Sequence, residues 1–469
     1  MIITHEAPIL RRSRAKRLNL TSRLPISGEN VDNECFVVSS GKRGFSVPPP
    51  SHLSPRNPAP PVAAPPSNAP PPRLRLDYLD GLRGLAALYV VLHHAYYGLT
   101  AEASLPPLVT RLTYWLYLGR SAVDIFIVLS GYCLMLPVVR SGAGRLQGGV
   151  LRFLQRRARR ILPPFYAAMG VTLLLIALVP ALHDLSHPDA LWSEALPAFT
   201  PGVIVSHLLV IHNFDPRWHS KIDYPMWSVA TEWQIYFLFP LLLLPLWRRF
   251  GSAAAVAAAF LIGFALLVLF FDRFSGVSPQ FLGLFALGMA AADLNFSPKI
   301  SLFLCRERLS WGWLAALLVA GLVVVSLWHT SWPLALAVKD VLVGAATACL
   351  LVFCTRHLTR RHETATAQSV SDRRDTPPVL RLLESRPAIE LGVFSYSLYL
   401  IHAPVLAVCQ SFVRQRGLSP TLGLTLMLGA GVPLALLCSY LFHLVFERPF
   451  LSRALTKAQK EIVAQTHRP

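Results

Sequence analysis

Apolar stretches about as long as a bilayer is thick recur along this chain from residue 82 to residue 446. An α-helix rises ~1.5 Å per residue, so about 20 residues cross ~30 Å of hydrocarbon. In lipid every backbone N–H and C=O must be paired within the protein, which leaves helices or a closed barrel. The runs are continuous rather than alternating, so helices are expected. We place the spans at 82–99, 115–138, 161–181, 226–246, 252–271, 279–294, 311–328, 334–354, 389–411 and 421–446. The apolar stretch 201–213 is short and holds His207 and His212, so we expect a re-entrant or interfacial segment there. The expected fold class is all-α, a polytopic membrane bundle of about ten transmembrane helices.

Composition agrees: 53% of residues are hydrophobic and 15% charged, where a soluble domain carries roughly 25% charged residues. The net charge of +19 does not imply nucleic acid. Its Lys and Arg residues lie in the N-terminal tail and between apolar runs, with no aromatic-interleaved basic stripe. Counting ten spans puts Arg140 to Arg160, Arg248–Arg249, Lys299 to Arg308, Arg356 to Arg386 and Arg448 to Lys460 mostly on one side. Basic flanks mark the cytoplasmic face, so both termini are expected inside and residues 182–225 outside. The chain is thus expected in a cell membrane, the inner one if the source is bacterial.

Residues 1–72 read as a disordered tail, because Val47 to Pro72 is rich in Pro, Ala and Ser and cannot bury a core. No apolar stretch follows the basic run Arg11 to Arg17, so a signal peptide is not expected. The membrane domain is placed at 73–450 and a basic cytoplasmic tail at 451–469. The seven cysteines, Cys35, Cys133, Cys305, Cys349, Cys354, Cys409 and Cys438, form no CxxC pair. Metal-site spacing is absent, and they read as small apolar fillers.

Ionisable groups at membrane depth are costly and mark functional candidates. His94 lies eleven residues beyond Arg83, roughly 16 Å deeper. On the span boundaries above, Asp124, Glu232 and His402 fall at the same level, between the midplane and the outer leaflet. Alone, each has a bland explanation: a buried His is commonly a hydrogen-bonded structural residue, and Asp124 could pair with Arg120 one turn away. Two His and two carboxylates at one level point instead to a proton-handling site. On the inner side, Arg83 and the cluster Arg152, Arg156, Arg157, Arg159 and Arg160 are either a topology signal or a site for a phosphate-rich cytosolic ligand. An enzyme or a proton-coupled transporter could use such groups. No internal repeat relates the first five spans to the last five, which disfavours a transporter.

Several strings carry a family resemblance. Leu79-Asp80-Gly81-Leu82-Arg83-Gly84-Leu85-Ala86-Ala87, continued to His94, resembles the opening of the membrane acyltransferase 3 family. Val123-Asp124-Ile125-Phe126-Ile127-Val128-Leu129-Ser130-Gly131-Tyr132 is similar to its VDxFFVLSGF element. Arg157-Ala158-Arg159-Arg160-Ile161-Leu162-Pro163 resembles its RxxRI-x-P string, and Trp227-Ser228-Val229-Ala230-Thr231-Glu232-Trp233-Gln234-Ile235-Tyr236 its WSLSVEEQFY string. Ser395 to His402 matches SYSLYLxH, and Phe446-Glu447-Arg448-Pro449 the closing ERP. Trp233 stands where the family has a second Glu, and Ile127 where it has an aromatic.

The resemblance implies transfer of an acyl group, commonly acetyl, from cytosolic acyl-CoA to a hydroxyl of a carbohydrate or glycolipid acceptor. It implies no cofactor beyond acyl-CoA as co-substrate and no metal. His94 is then the expected general base or acyl carrier, oriented by Asp124 or Glu232. Arg83, Arg157 and Arg160 are expected to bind the donor, with Ser395, Tyr399 and His402 lining the same cavity. Acceptor contacts are expected from the 182–225 loop, with His183, Asp184, His219 and Asp223.

Overall fold

A computed structural model describes residues 75–100, 105–182, 192–274, 276–297, 310–327, 334–367 and 376–451. The tail 1–72, His183, Asp184 and nearly all of 451–469 lie outside the described residues. Among the described residues every regular element is helical. The long helices are α1 (Tyr78–Thr100), α2 (Arg120–Arg140), α3 (Gly149–Leu178), α4 (Met226–Leu238), α5 (Leu244–Leu269), α6 (Phe281–Phe296), α7 (Trp311–Leu327), α8 (Ala335–Ala367), α9 (Ser395–Gln415) and α10 (Pro420–Phe450).

Among the described residues, six helical stretches are long and apolar enough to cross a membrane: Pro107–Arg140, Gly149–Leu178, Met226–Leu269, Ala335–Glu363, Ser395–Gln415 and Pro420–Phe450. Helices α6 and α7 are apolar but shorter, and α1 carries Arg83, His93 and His94 within its length. The fourth and fifth expected spans form one helical stretch through a π-turn at Phe239–Leu243, with a single non-helical residue, Gly251 (φ 85°, ψ 177°). Segment 201–213 is not a span: it holds the short helix Pro201–Leu208 and a 3-10 turn at His212–Phe214. Its two histidines are fully buried and stacked, with ring centroids 3.9 Å apart.

Large apolar side chains cover the outside of the bundle; Leu261 is 72% and Trp313 79% exposed. On a water-soluble monomer so much contiguous apolar surface would be an interaction site; here it faces lipid. Multi-pass membrane residence follows from these helices and this surface.

Close helix contacts rest on small residues, as membrane packing favours. A Cβ on Gly131 of α2 would lie 2.0 Å from the Phe285 carbonyl of α6, and one on Gly288 of α6 2.0 Å from the Val128 carbonyl of α2. The two backbones therefore touch. At the N-terminal end of α2, Arg120 is held by Asp340 of α8 through two hydrogen bonds of 3.1 Å, and by Ser278 at 2.9 Å. The salt-bridge partner of Arg120 is thus Asp340 rather than Asp124. Asp124 is 1% exposed beside this pair, and its Oδ1 accepts no hydrogen bond. The hydrogen-bond partner of His94 Nδ1 is His402 rather than Asp124.

Candidate active site

Six of the nine residues singled out by the sequence line one open cavity: Arg83, Arg157, Arg160, Glu232, Ser395 and Tyr399. It encloses about 980 Å³ when the open space at its mouth is included. Each lining residue comes from a helix end or face that packing holds in place. Arg83, one turn into α1, donates to Asp80 Oδ1 at 3.2 Å and to Cys133 Sγ of α2 at 3.0 Å. Arg157 and Arg160 sit on α3 three residues apart, so they share a face; Arg157 is buried. Three guanidinium groups on one cavity are chemically suited to an anion, because planar forks match phosphate and carboxylate oxygens.

Glu232 is the carboxylate of this cavity. Tyr236, one turn on along α4, donates to its Oε1 at 2.6 Å and shares a 3.0 Å hydrogen bond with Ser130 of α2. The pair Ser130 and Tyr236 also lines the cavity and was not picked out from sequence. The one-turn spacing from Glu232 to Tyr236 was the available signal. Ser395 at the start of α9 donates to the Gly392 carbonyl at 2.9 Å, and Tyr396 to the Ile161 carbonyl at 3.0 Å.

Tyr399 closes the cavity on its far side. Its hydroxyl is 2.6 Å from Ser228 Oγ and donates to the Pro225 carbonyl at 3.2 Å. Its ring packs edge-on to Phe126 and lies 5.9 Å from the His402 ring. His402 in turn meets His94: His94 Nδ1 and His402 Nε2 are 2.7 Å apart, with ring planes 2° from parallel. The structure thus brings His94 and His402 together, and it brings the arginines and Glu232 together. The hydrogen bond expected between His94 and a carboxylate goes to His402 instead.

The direction of that bond follows from its neighbour. His402 Nδ1 is 2.9 Å from the Leu398 carbonyl, which can only accept, so Nδ1 carries the hydrogen. His402 Nε2 is then a lone pair and must accept from His94 Nδ1–H. His94 Nε2 is left with a lone pair, which is the state a general base needs. His93 is turned away, with Nδ1 2.7 Å from the Leu116 carbonyl.

His94 does not line the arginine cavity. It lines a second, smaller one of about 320 Å³ with Trp192, Tyr224, Leu406 and Gln410. Gln410 donates to the His94 carbonyl at 3.1 Å, and this fixes the turn that carries the imidazole. Residues Ala403, Leu406, Ala407 and Gln410 of this wall recur at i, i+3, i+4 and i+7 of α9, one helix face. That periodicity was visible in the sequence, but nothing in it connected the face to His94. Tyr399 and His402 therefore stand between two chambers that the sequence reading joins into one.

The loop before α4 shows a different chemistry from that expected. Burial pushes the pKa of His219 down to about 4 and that of His207 likewise to about 4, and pushes the Asp223 carboxyl well above the usual range. Burial thus disfavours the charged form of each of these groups. His219 stacks on Trp227, and Asp223 is fully buried with neither carboxyl oxygen hydrogen-bonded. The loop's contributions to the smaller pocket are Trp192 and Tyr224. Among the described residues no three His, Cys, Asp or Glu side chains group as metal ligands.

Comparison with known proteins places residues 76–444 in a match to one family, described as an acyltransferase domain (acyltransferase 3). The O-acetyltransferase OatA of Staphylococcus aureus is 26% identical over 190 residues, 40% of this chain and 28% of that protein. The peptidoglycan O-acetyltransferase OatA of Listeria monocytogenes is 28% identical over 170 residues, 35% of this chain and 24% of that protein. The acyltransferase MdmB of Streptomyces mycarofaciens is 28% identical over 194 residues, 40% of this chain and 45% of that protein. The chain therefore spans less than half the length of each of these relatives. No solved structure matches it.

Proposed function

We propose, for a chain that belongs to the acyltransferase 3 family, that it transfers an acyl group from cytosolic acyl-CoA to a hydroxyl of a carbohydrate or glycosylated acceptor. The observation that carries this reading is the pairing of an arginine cavity with a base-competent His94 beyond its Tyr399 wall. A donor rich in phosphate suits Arg83, Arg157 and Arg160. The names of the relatives favour acetyl as the group moved.

A sugar hydroxyl is too weak a nucleophile at neutral pH unless its proton is removed as it attacks. With the acyl end of the donor reaching past the Tyr399 side chain to His94, His94 Nε2 takes that proton while the hydroxyl oxygen bonds to the thioester carbonyl carbon. The carbon–sulfur bond then breaks, and the proton passes to the departing thiolate. The products are the ester and CoA thiol. No net proton is gained or lost. His402 holds the tautomer through the step, and Glu232 with Tyr236 stands on the donor side of the wall.

The orientation we propose has ten crossings, both termini in the cytoplasm and residues 182–225 outside, in a cell membrane. Reporter fusions at residues 145 and 370 read inside on this topology, and one at 190 reads outside. An inside signal at 190 would place both chambers on the wrong faces and undo the donor assignment.

The direct test is Arg157→Ala. The variant inserts normally and raises the KM for acyl-CoA by about ten- to a hundredfold, because a lost charge-assisted phosphate contact costs ~1.5–3 kcal/mol. Donor affinity unchanged in Arg157→Ala and in Arg160→Ala returns these residues to a role in topology alone.

A further inference from the structure

A donor in the arginine cavity and a base in the chamber beyond it can react only if the wall between them yields. We propose that Tyr399 is a gate selecting against water: latched, it holds a bound thioester away from His94 and so prevents its hydrolysis. This rests on the acyltransferase reading above and adds the residue that sets its selectivity for acceptor over water. Tyr399 lines the arginine cavity, and its ring lies 5.9 Å from that of His402, which meets His94 at 2.7 Å. A thioester in the cavity therefore faces Tyr399 before it can reach His94. A base that takes a proton from a sugar hydroxyl can equally take one from water, which is smaller and far more abundant. Keeping donor and base apart is the direct protection against that side reaction.

The latch is built to release. The Tyr399 hydroxyl donates to the Pro225 carbonyl at 3.2 Å and lies 2.6 Å from Ser228 Oγ. Ser228 Oγ is itself 3.2 Å from the same carbonyl. Two hydroxyl hydrogens are thus shared among three oxygens, and when Tyr399 leaves, Ser228 still pairs the carbonyl. Opening strands no buried loop group, which would otherwise cost its full desolvation. Tyr399 and Ser228 are both buried, so water does not compete for these bonds while the gate is shut. The ring packs edge-on to Phe126 on one side and borders the open arginine cavity on another, which gives it space to turn. Pro225 directly follows Tyr224, whose ring lines the His94 chamber. The gate is therefore fastened to the loop that walls the base's chamber and to the first turn of α4.

The test is hydrolysis of acetyl-CoA by the full chain in phosphatidylcholine nanodiscs, with no acceptor added. In this leak a water oxygen bonds to the thioester carbonyl carbon and the carbon–sulfur bond breaks. His94 carries a proton from the water to the thiolate, and the products are acetic acid and CoA thiol in equal amounts. Tyr399→Phe keeps the ring and removes the latch. It speeds the leak about tenfold, or ~1.4 kcal/mol, with acetyl-CoA affinity changed less than about threefold. Ser228→Ala leaves the bond from Tyr399 to Pro225 and speeds the leak about threefold, an independent reading should Tyr399→Phe fold poorly. The double variant Tyr399→Phe, His94→Ala leaks no faster than His94→Ala, because the opened gate delivers the donor to a missing base. A structural role alone loosens the fold and gives no such dependence on His94. Leak rates equal to the unmodified chain in both single variants, with acetyl-CoA bound normally, overturn the gate alone. Acceleration that persists in the double variant does the same. Absence of acetyl-CoA binding in the unmodified chain removes the transferase reading and the gate with it.

Discussion

His94→Ala lowers kcat by roughly 10²–10⁴-fold while the protein folds and binds acyl-CoA nearly as before. That range is what a positioned general base contributes, and only a group acting in the transition state loses kcat and kcat/KM together. His94→Gln is almost as inactive: its amide can bond to His402 but cannot take a proton. His93→Ala provides the internal contrast. Its imidazole is committed to the Leu116 carbonyl and stacks on Tyr97. Its loss lowers stability and leaves the base in place. Thiol release from acyl-CoA, measured on purified protein with a thermal melt as the folding control, reads all three. Near-normal turnover in well-folded His94→Ala overturns the mechanism and leaves the family assignment standing.

Local spacing carried much of this site, and long-range packing carried the rest. Arg83 and His94 lie on nearly one face of α1 because eleven residues make close to three turns. Arg157 and Arg160 share a face of α3 for the same reason, and all of these positions could be read in advance. Depth along separate helices proved a weaker guide. Asp124, Glu232, His94 and His402 were assigned to one level. The structure unites only the two histidines, because helices at one depth can present a side chain in any direction around their axes. The partner of Arg120 illustrates the limit: Asp124 is a turn away in sequence, yet Asp340, 220 residues on, takes the bidentate bond. Helix length mattered too. An expected span at 279–294 is matched by α6, a helix of 16 residues. The adjoining turn at Ser278–Gln280 is spent on Arg120 and Asp340 instead. Likewise the wall between the two chambers is made by Tyr399 meeting Ser228, Pro225 and Phe126, three contacts that no single stretch of sequence contains.

His402→Phe lowers kcat by about a hundredfold with the KM for donor changed less than about threefold. The expectation follows from proton bookkeeping around two rings. Leu398 O fixes the hydrogen on His402 Nδ1, His402 Nε2 therefore accepts, and His94 is held with its lone pair on Nε2. Phe fills the space but accepts nothing, so His94 can rotate or adopt the other tautomer, and the basic nitrogen is no longer aimed at the acceptor. In hydrolase triads the wrong tautomer costs about 10⁴-fold, with an aspartate that also stabilises the imidazolium. A neutral imidazole contributes orientation without that charge, so a smaller loss is expected here. His402→Gln separates orientation from simple packing. Its amide oxygen can accept from His94 Nδ1–H, and it recovers roughly tenfold of the lost rate, or ~1.4 kcal/mol. A merely structural His402 makes both variants lose activity in proportion to melting temperature, with no advantage for Gln. Equal rates for Phe and Gln at equal stability rule out the orienting role and leave His94 to be held by Gln410 and α1 alone.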